Sequence, residues 1–263
     1  MSIQPITLRQ FANKKFQRTK SYAFASKELL AELVAKEFPQ AALAVPIAFV
    51  AVNDEFSPVA VLGLNTGKNL FVTLDGRWIG RYIPAVFRGY PFSLAKTEDG
   101  RQVFCINDAS EVISDVEGEP FFEPTSEPTQ ALKDIFDFLT QTASNRLVTV
   151  QIIKVLQKHQ LIVPWVIKLK GADQTEHTIN GLYRLDESAF NLLPSEALNE
   201  IRQVGALPLI FCQLLSMQHL PMLSTLAQAQ QEAIKTAALT KAELGETGLS
   251  FLADDTTISF ENL

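Results

Sequence analysis

The sequence is short of the residues that build reactive centres. Its 263 residues include two Cys, three His, three Met and two Trp. Cys105 and Cys212 lie far apart, in no CxxC or metal-ligand spacing. That excludes a disulfide framework and reads them as small buried hydrophobes of a reducing compartment. His159, His177 and His219 form no HxD, HxE, HxxxH or HExxH pattern, so no metal centre and no cofactor is expected. There is no GxSxG, and neither Cys has a His or Asn in a recognised nucleophile signature. Long hydrophobic runs are missing too. The longest, Ala41–Val52, is broken by Pro46 and falls short of the roughly 20 residues a bilayer requires. No membrane span is therefore expected. Met1–Lys15 is basic, but no apolar run follows it to form a signal peptide, so the expected location is the cytoplasm. Positive charge is in deficit, with 23 Lys and Arg against 29 Asp and Glu, a net charge of −6. Nucleic acid needs a basic face and is excluded as the main partner.

What charge there is falls in blocks. Arg9, Lys14, Lys15, Arg18, Lys20 and Lys27 precede the first acid, Glu28. Asp108, Glu111, Asp115, Glu117, Glu119, Glu123 and Glu127 lie between Arg101 and Lys133 with no base among them. One reading is solvated loops. The sharper one docks the basic arm, or the Arg-rich stretch described next, on an acidic segment of this chain or a neighbour.

That stretch is Asp75–Phe92, DGRWIGRYIPAVFRGYPF. It holds one Trp, two Tyr, two Phe and three Arg in eighteen residues, with one acid. Aromatic faces and guanidinium forks give large contact area and directed donors. Arg77, Trp78, Arg81, Tyr82, Arg88 and Tyr90 are the candidate ligand-binding residues: a cleft that stacks an aromatic or sugar face and clamps a carboxylate. The competing reading makes Trp78 and Tyr82 a cap on the core, with the arginines paired to acids. Two other motifs are weaker. Gly63–Asn69 imitates a phosphate-binding loop, but it has three residues between its glycines and Asn69 where a hydroxyl should follow Lys68. Asp115–Glu119 resembles a calcium loop without its ligand alternation.

Periodicity divides the chain into a β-rich part, 1–123, and a helix-rich part, 124–241, of one co-folded unit, followed by an acidic tail, 242–263. Strands are expected at Ile47–Val52, Val59–Leu64 and Leu70–Leu74, with a hairpin of Phe92–Ala95 and Gln102–Ile106 about Asp99-Gly100. Pro84 permits a short helix over Ala85–Gly89. Helices capped around Thr125–Pro128 should break or kink at Ser144-Asn145 and resume from about Arg146 to His159. Trp165–Leu169 and Glu176–Ile179 form a further hairpin. Pro194–Val204 should be helical up to Gly205, Leu207–Met217 is apolar nearly all round and should be a buried helix, and Pro221 opens a last helix. In the tail, Leu249–Leu252 and Thr257–Phe260 suggest an edge hairpin. The fold class is α+β, an antiparallel sheet or small barrel flanked by a cluster of helices.

The runs EFPQAALAVPIAF (Glu37–Phe49), PVAVLGLNTGKNLFV (Pro58–Val72), GRWIGRYIPAVFRGYPFSLA (Gly76–Ala95), GLYRLDE (Gly181–Glu187) and GALPLIFCQLLSM (Gly205–Met217) resemble the SapC family of bacterial proteins. The resemblance implies a link with a surface-layer locus and, loosely, with outer-membrane uptake of peptides or carbohydrates. It carries no catalytic residues over. The expected function is a non-catalytic accessory that binds a peptide, a glycan or a partner protein in such a pathway. The alternatives are an enzyme whose site gathers distant residues around an anionic substrate, and a purely structural subunit.

Overall fold

Asn53 makes the first decisive turn. In the computed structural model of the chain its φ is +53°, a left-handed conformation that Asn tolerates better than most residues. Ile47–Val52 thereby folds back on Glu55–Val61 as an antiparallel partner. The structure describes residues 3–53, 55–64, 67–97, 99–107, 112–170 and 176–250. In chain order the elements are β1 (Ile3–Pro5), α1 (Leu8–Phe11), β2 (Lys15–Phe16), β3 (Leu30–Glu32), α2 (Phe38–Ala41), β4 (Ile47–Val52) and β5 (Glu55–Val61). Next come α3 (Ala85–Arg88), β6 (Phe92–Lys96), β7 (Gln102–Asn107), β8 (Ile113–Ser114), β9 (Glu119–Pro120) and α4 (Gln130–Lys158). The last are β10 (Ile162–Lys170), β11 (Glu176–Leu185), α5 (Glu187–Asn191), α6 (Ser195–Gln203), α7 (Leu207–Ser216) and α8 (Leu220–Ser250).

The architecture is α+β with open antiparallel sheets. The largest has the order β10-β11-β4-β5-β3, and two three-stranded sheets have the orders β1-β7-β6 and β8-β2-β9. The main core joins Phe38, Phe49, Leu62 and Phe71 to Leu156 of α4 and Ile210 of α7. A smaller one gathers Phe11, Phe16, Phe92, Ile106, Phe121 and Leu132. The basic arm docks on the acidic segment of its own chain. Strand β2 lies between β8 and β9, Lys14 pairs with Asp115 at 2.6 Å, and Lys15 Nζ donates to the Val116 carbonyl at 2.8 Å. The calcium-like loop is thus held by the arm.

Four expectations are corrected. Helix α4 runs unbroken through Ser144-Asn145. Asn145 Oδ1 accepts from Lys36 N at 2.9 Å, and Thr149 Oγ1 accepts from Ala35 N at 2.8 Å. The polar side chains that ordinarily compete with helix backbone are engaged across the fold instead. The helix is capped by Thr129 rather than by the residues before it. Leu70–Leu74 is no strand: Asn69 Oδ1 accepts from Phe71 N at 2.9 Å and turns the chain, leaving one bridge, Val72 to Trp78. Helix α7 is not buried all round, since Phe211 is 52% and Leu215 64% exposed.

The buried face of α7 carries Gln213, which bridges the Ile47 carbonyl and Leu185 N at 3.0 and 3.1 Å. It also carries Ser216, which accepts from Ile47 N at 2.9 Å. The helical run Leu207–Leu239 is long and apolar enough, by length and composition only, to cross a membrane. Within it, α7 is pinned to β4 and β11 by these bonds. In the tail, α8 runs to Ser250 and covers the start of the expected hairpin, whose remainder lies outside the described residues.

Candidate functional site

Arg77 belongs to a turn that the chain builds twice. Thr73–Arg77 and Thr97–Arg101 share the pattern Thr-x-Asp-Gly-Arg. In each, the Thr hydroxyl bonds the Asp carboxylate, Thr N donates to the Arg carbonyl at 2.9 Å, and Arg Nε donates to the Asp carboxylate at 2.6 Å. Gly76 and Gly100 supply φ of +83° and +81°. The Thr73 hydroxyl, and after it the Arg77 guanidinium, hold Asp75 below the usual carboxylate range, and Thr97 and Arg101 do the same for Asp99. The recurrence in a second hairpin shows that the Arg77 charge is neutralised as part of turn-making.

Trp78 and Tyr82 face inward. The Trp78 ring stacks on Phe71 at 5.5 Å and meets Phe87 edge-on at 5.9 Å, and its Nε1 donates to the Tyr82 carbonyl at 3.0 Å. Gly80 is required beneath it, because a Cβ there would lie 2.7 Å from Trp78 Nε1. Tyr82 is buried and its hydroxyl donates to Glu37 Oε1 at 2.5 Å. Glu37, 6% exposed, also accepts from Val34 N at 2.9 Å and Ala85 N at 2.7 Å. It therefore ties α3 to the turn before α2. Burial, and then the Glu37 carboxylate, push the Tyr82 phenol well above its ordinary value. A lone acid between the apolar runs before and after Glu37 was the only sequence signal for this buried pair.

Arg88 and Tyr90 reach a groove. Its volume is about 370 Å³, and it is formed by Arg18, Thr19 and Tyr22 of the N-terminal arm, by the turn from Arg88 to Phe92, and by Asp134, Ile135 and Phe138 of α4. The Arg88 guanidinium lies 5.0 Å from the Phe138 ring centroid and 5.7 Å from that of Tyr82, with Nη2 donating to the Tyr82 hydroxyl at 3.4 Å. The aromatic faces hold the cation in place. Tyr90 stacks on Phe24 at 3.7 Å and 14°. Gly89 lets the end of α3 sit on α4, where a Cβ would meet Leu139 at 2.8 Å. Arg81 is exposed and lines no part of the groove. Of the six candidates, two line the groove, two lie in the core behind it, and Arg77 and Arg81 stand apart. Sequence reasoning missed Arg18, Asp134 and Phe138, which come from distant segments.

The other chemical candidates disperse. His159 Nε2 pairs with Glu200 at 2.8 Å, and His219 Nε2 lies 3.0 Å from the Ala42 carbonyl. Lys158, and after it His159, hold Glu200 below the usual carboxylate range. Among the described residues no three His, Cys, Asp or Glu converge as a metal site. Both cysteines are free thiols, pushed up by burial and so away from the reactive thiolate. In the imitation of a phosphate loop, Asn69 is buried and its Nδ2 donates to the Ala25 carbonyl at 3.1 Å.

The model of the SapC family matches residues 6–223, a span that includes every groove residue. No curated protein is significantly similar to the chain, and no solved structure is. With the family model covering both cores and the greater part of the sequence, the chain belongs to the SapC family.

Proposed function

We propose that this SapC-family chain is a non-catalytic binding protein whose groove takes the carboxylate of a peptide, at a chain end or on an acidic side chain. The observation that carries the reading is Arg88. Its guanidinium is clamped by two aromatic rings at a groove, and among the described residues no carboxylate lies within ion-pair distance of it. A guanidinium has five N–H donors, and only one is directed at Tyr82. A pre-oriented fork with free donors suits bidentate carboxylate recognition. A carboxylated glycan or an acidic segment of a partner protein offers the same chemistry. The setting we propose is cytoplasmic, in a bacterial uptake or surface-assembly pathway, as the family name suggests.

An enzymatic role has less support, because the buried acid nearest the groove, Glu37, already accepts three bonds. A structural subunit is the second reading, favoured by the exposed Phe211, Leu215 and Leu192. Native mass spectrometry of protein taken from its source, wild type beside Arg88→Ala, tests the proposal. The wild type should retain a ligand mass that the variant loses, because a bond to a charged group is worth about 1.5–3 kcal/mol, roughly ten- to a hundredfold in affinity. Unchanged retention with a lower melting temperature would overturn it.

A further inference from the structure

The groove holds charges of both signs that do not neutralise one another. Arg18, Arg88 and Asp134 all line it, yet neither arginine lies within ion-pair distance of Asp134. Arg88 and Asp134 are each held by something else. Arg88 sits against the Phe138 and Tyr82 rings. Asp134 Oδ1 accepts from Gln130 Nε2, one turn back along α4, at 2.7 Å. A carboxylate has about four lone-pair sites, so one amide leaves Asp134 with capacity for a cation. The three charges thus line one groove without an ion pair among them.

Helix α4 carries both anchoring points. Asp134 and Phe138, the residue that seats Arg88, are one turn apart, about 6 Å along the helix axis. An extended chain spans about 3.3–3.6 Å per residue, so the two charged ends of a dipeptide are about 7 Å apart. The cavity, about 370 Å³, is at the small end of the roughly 300–1,000 Å³ usual for ligand sites. Apart from Thr19, the other side chains of the walls are aromatic or apolar, among them Tyr22, Tyr90, Phe92 and Ile135.

We infer that the groove takes a zwitterion of dipeptide size. Its carboxylate meets Arg88, with Arg18 beside it. Its ammonium meets Asp134, and an apolar or aromatic side chain lies against the tyrosines. This rests on the carboxylate-binding reading above and adds the demand for a free amino group.

Calorimetric titration of the full chain at low ionic strength, with the dipeptide Ala-Phe, its N-acetyl form and its C-terminal amide, tests the inference. Ala-Phe should bind, and either cap should weaken binding about ten- to a hundredfold, the scale of one lost charge-assisted contact. Asp134→Asn keeps an acceptor for Gln130 and should make Ala-Phe and N-acetyl-Ala-Phe bind alike, with the amide penalty unchanged. Arg88→Gln should erase the penalty for the amide. If N-acetyl-Ala-Phe binds the wild type as tightly as Ala-Phe, the zwitterion inference falls and the carboxylate groove stands. If neither carboxylate binds, both fall.

Discussion

Gly76 and Gly100 occupy the same place in two turns that share their sequence pattern and their bonds. An alanine at either carries left-handed strain of about 1–2 kcal/mol, offset in part by about 0.4–1 kcal/mol from the stiffer unfolded chain. The surroundings differ. A Cβ on Gly100 meets nothing within 4 Å, whereas one on Gly76 would overlap Ser21 Oγ and lie 3.3 Å from Ala23 Cβ. Ser21 Oγ is not free to swing aside, because it accepts from Ala23 N at 3.2 Å. The backbone cannot withdraw either, since the Gly76 carbonyl accepts from Tyr22 N at 2.7 Å. Crowding of this kind adds about 1–3 kcal/mol. Gly100→Ala should therefore cost up to about 1.6 kcal/mol, and Gly76→Ala about 1–3 kcal/mol more than that. At about 2–4 °C per kcal/mol for a chain of this size, thermal melts of the two variants should separate by several degrees. Adding Ser21→Gly to Gly76→Ala should return most of the difference. Equal shifts for the two alanines would refute the packing of the first turn on the arm that also forms the groove wall.

Tyr82→Phe removes the hydroxyl between Glu37 and Arg88 and should cost about 1.5–3 kcal/mol in urea unfolding. The folded phenol stays protonated when the unfolded one ionises near pH 10, the ordinary tyrosine value. The unfolded chain then binds fewer protons, so stability present below pH 10 is lost as pH rises above it. Urea midpoints followed across that range should fall less steeply in Tyr82→Phe than in the wild type. Asn145→Ala orphans Lys36 N and should lower stability by about 1–3 kcal/mol, measured by the same unfolding. An unchanged midpoint would show that α4 needs no anchor there. Thiol titration of the native protein should find Cys105 and Cys212 reduced and Cys105 protected until unfolding; a disulfide in fresh material would contradict the proposed cytoplasmic setting.

Much of the fold was legible because its signals are local. The β6–β7 hairpin follows from Asp99-Gly100, and α3 from Pro84 with its fixed φ. The elements misread are those where a polar side chain finds its partner far along the chain. Asn145 looks like a helix breaker until Lys36 N arrives. Gln213 and Ser216 vanish in an apolar helix until β4 and β11 supply their bonds. Periodicity reports which face is buried, but not which distant backbone group a buried amide will meet.

The same distinction separates the arginines of the Asp75–Phe92 stretch. Arg77 has an acid two residues before it, and the chain closes that pair into a turn, as it does again at Arg101. Arg88 has no such neighbour between Asp75 and Glu98. Its counter-charge comes from Glu37, reached only through the Tyr82 hydroxyl. An arginine that balances a buried acid through an intervening hydroxyl keeps most of its donors unsatisfied by protein. That is why the residue that completes the core's charge balance is also the one we propose to hold a carboxylate from outside. It is also why Tyr82→Phe should loosen ligand binding as well as the fold: without the hydroxyl, the guanidinium is aimed by ring faces alone.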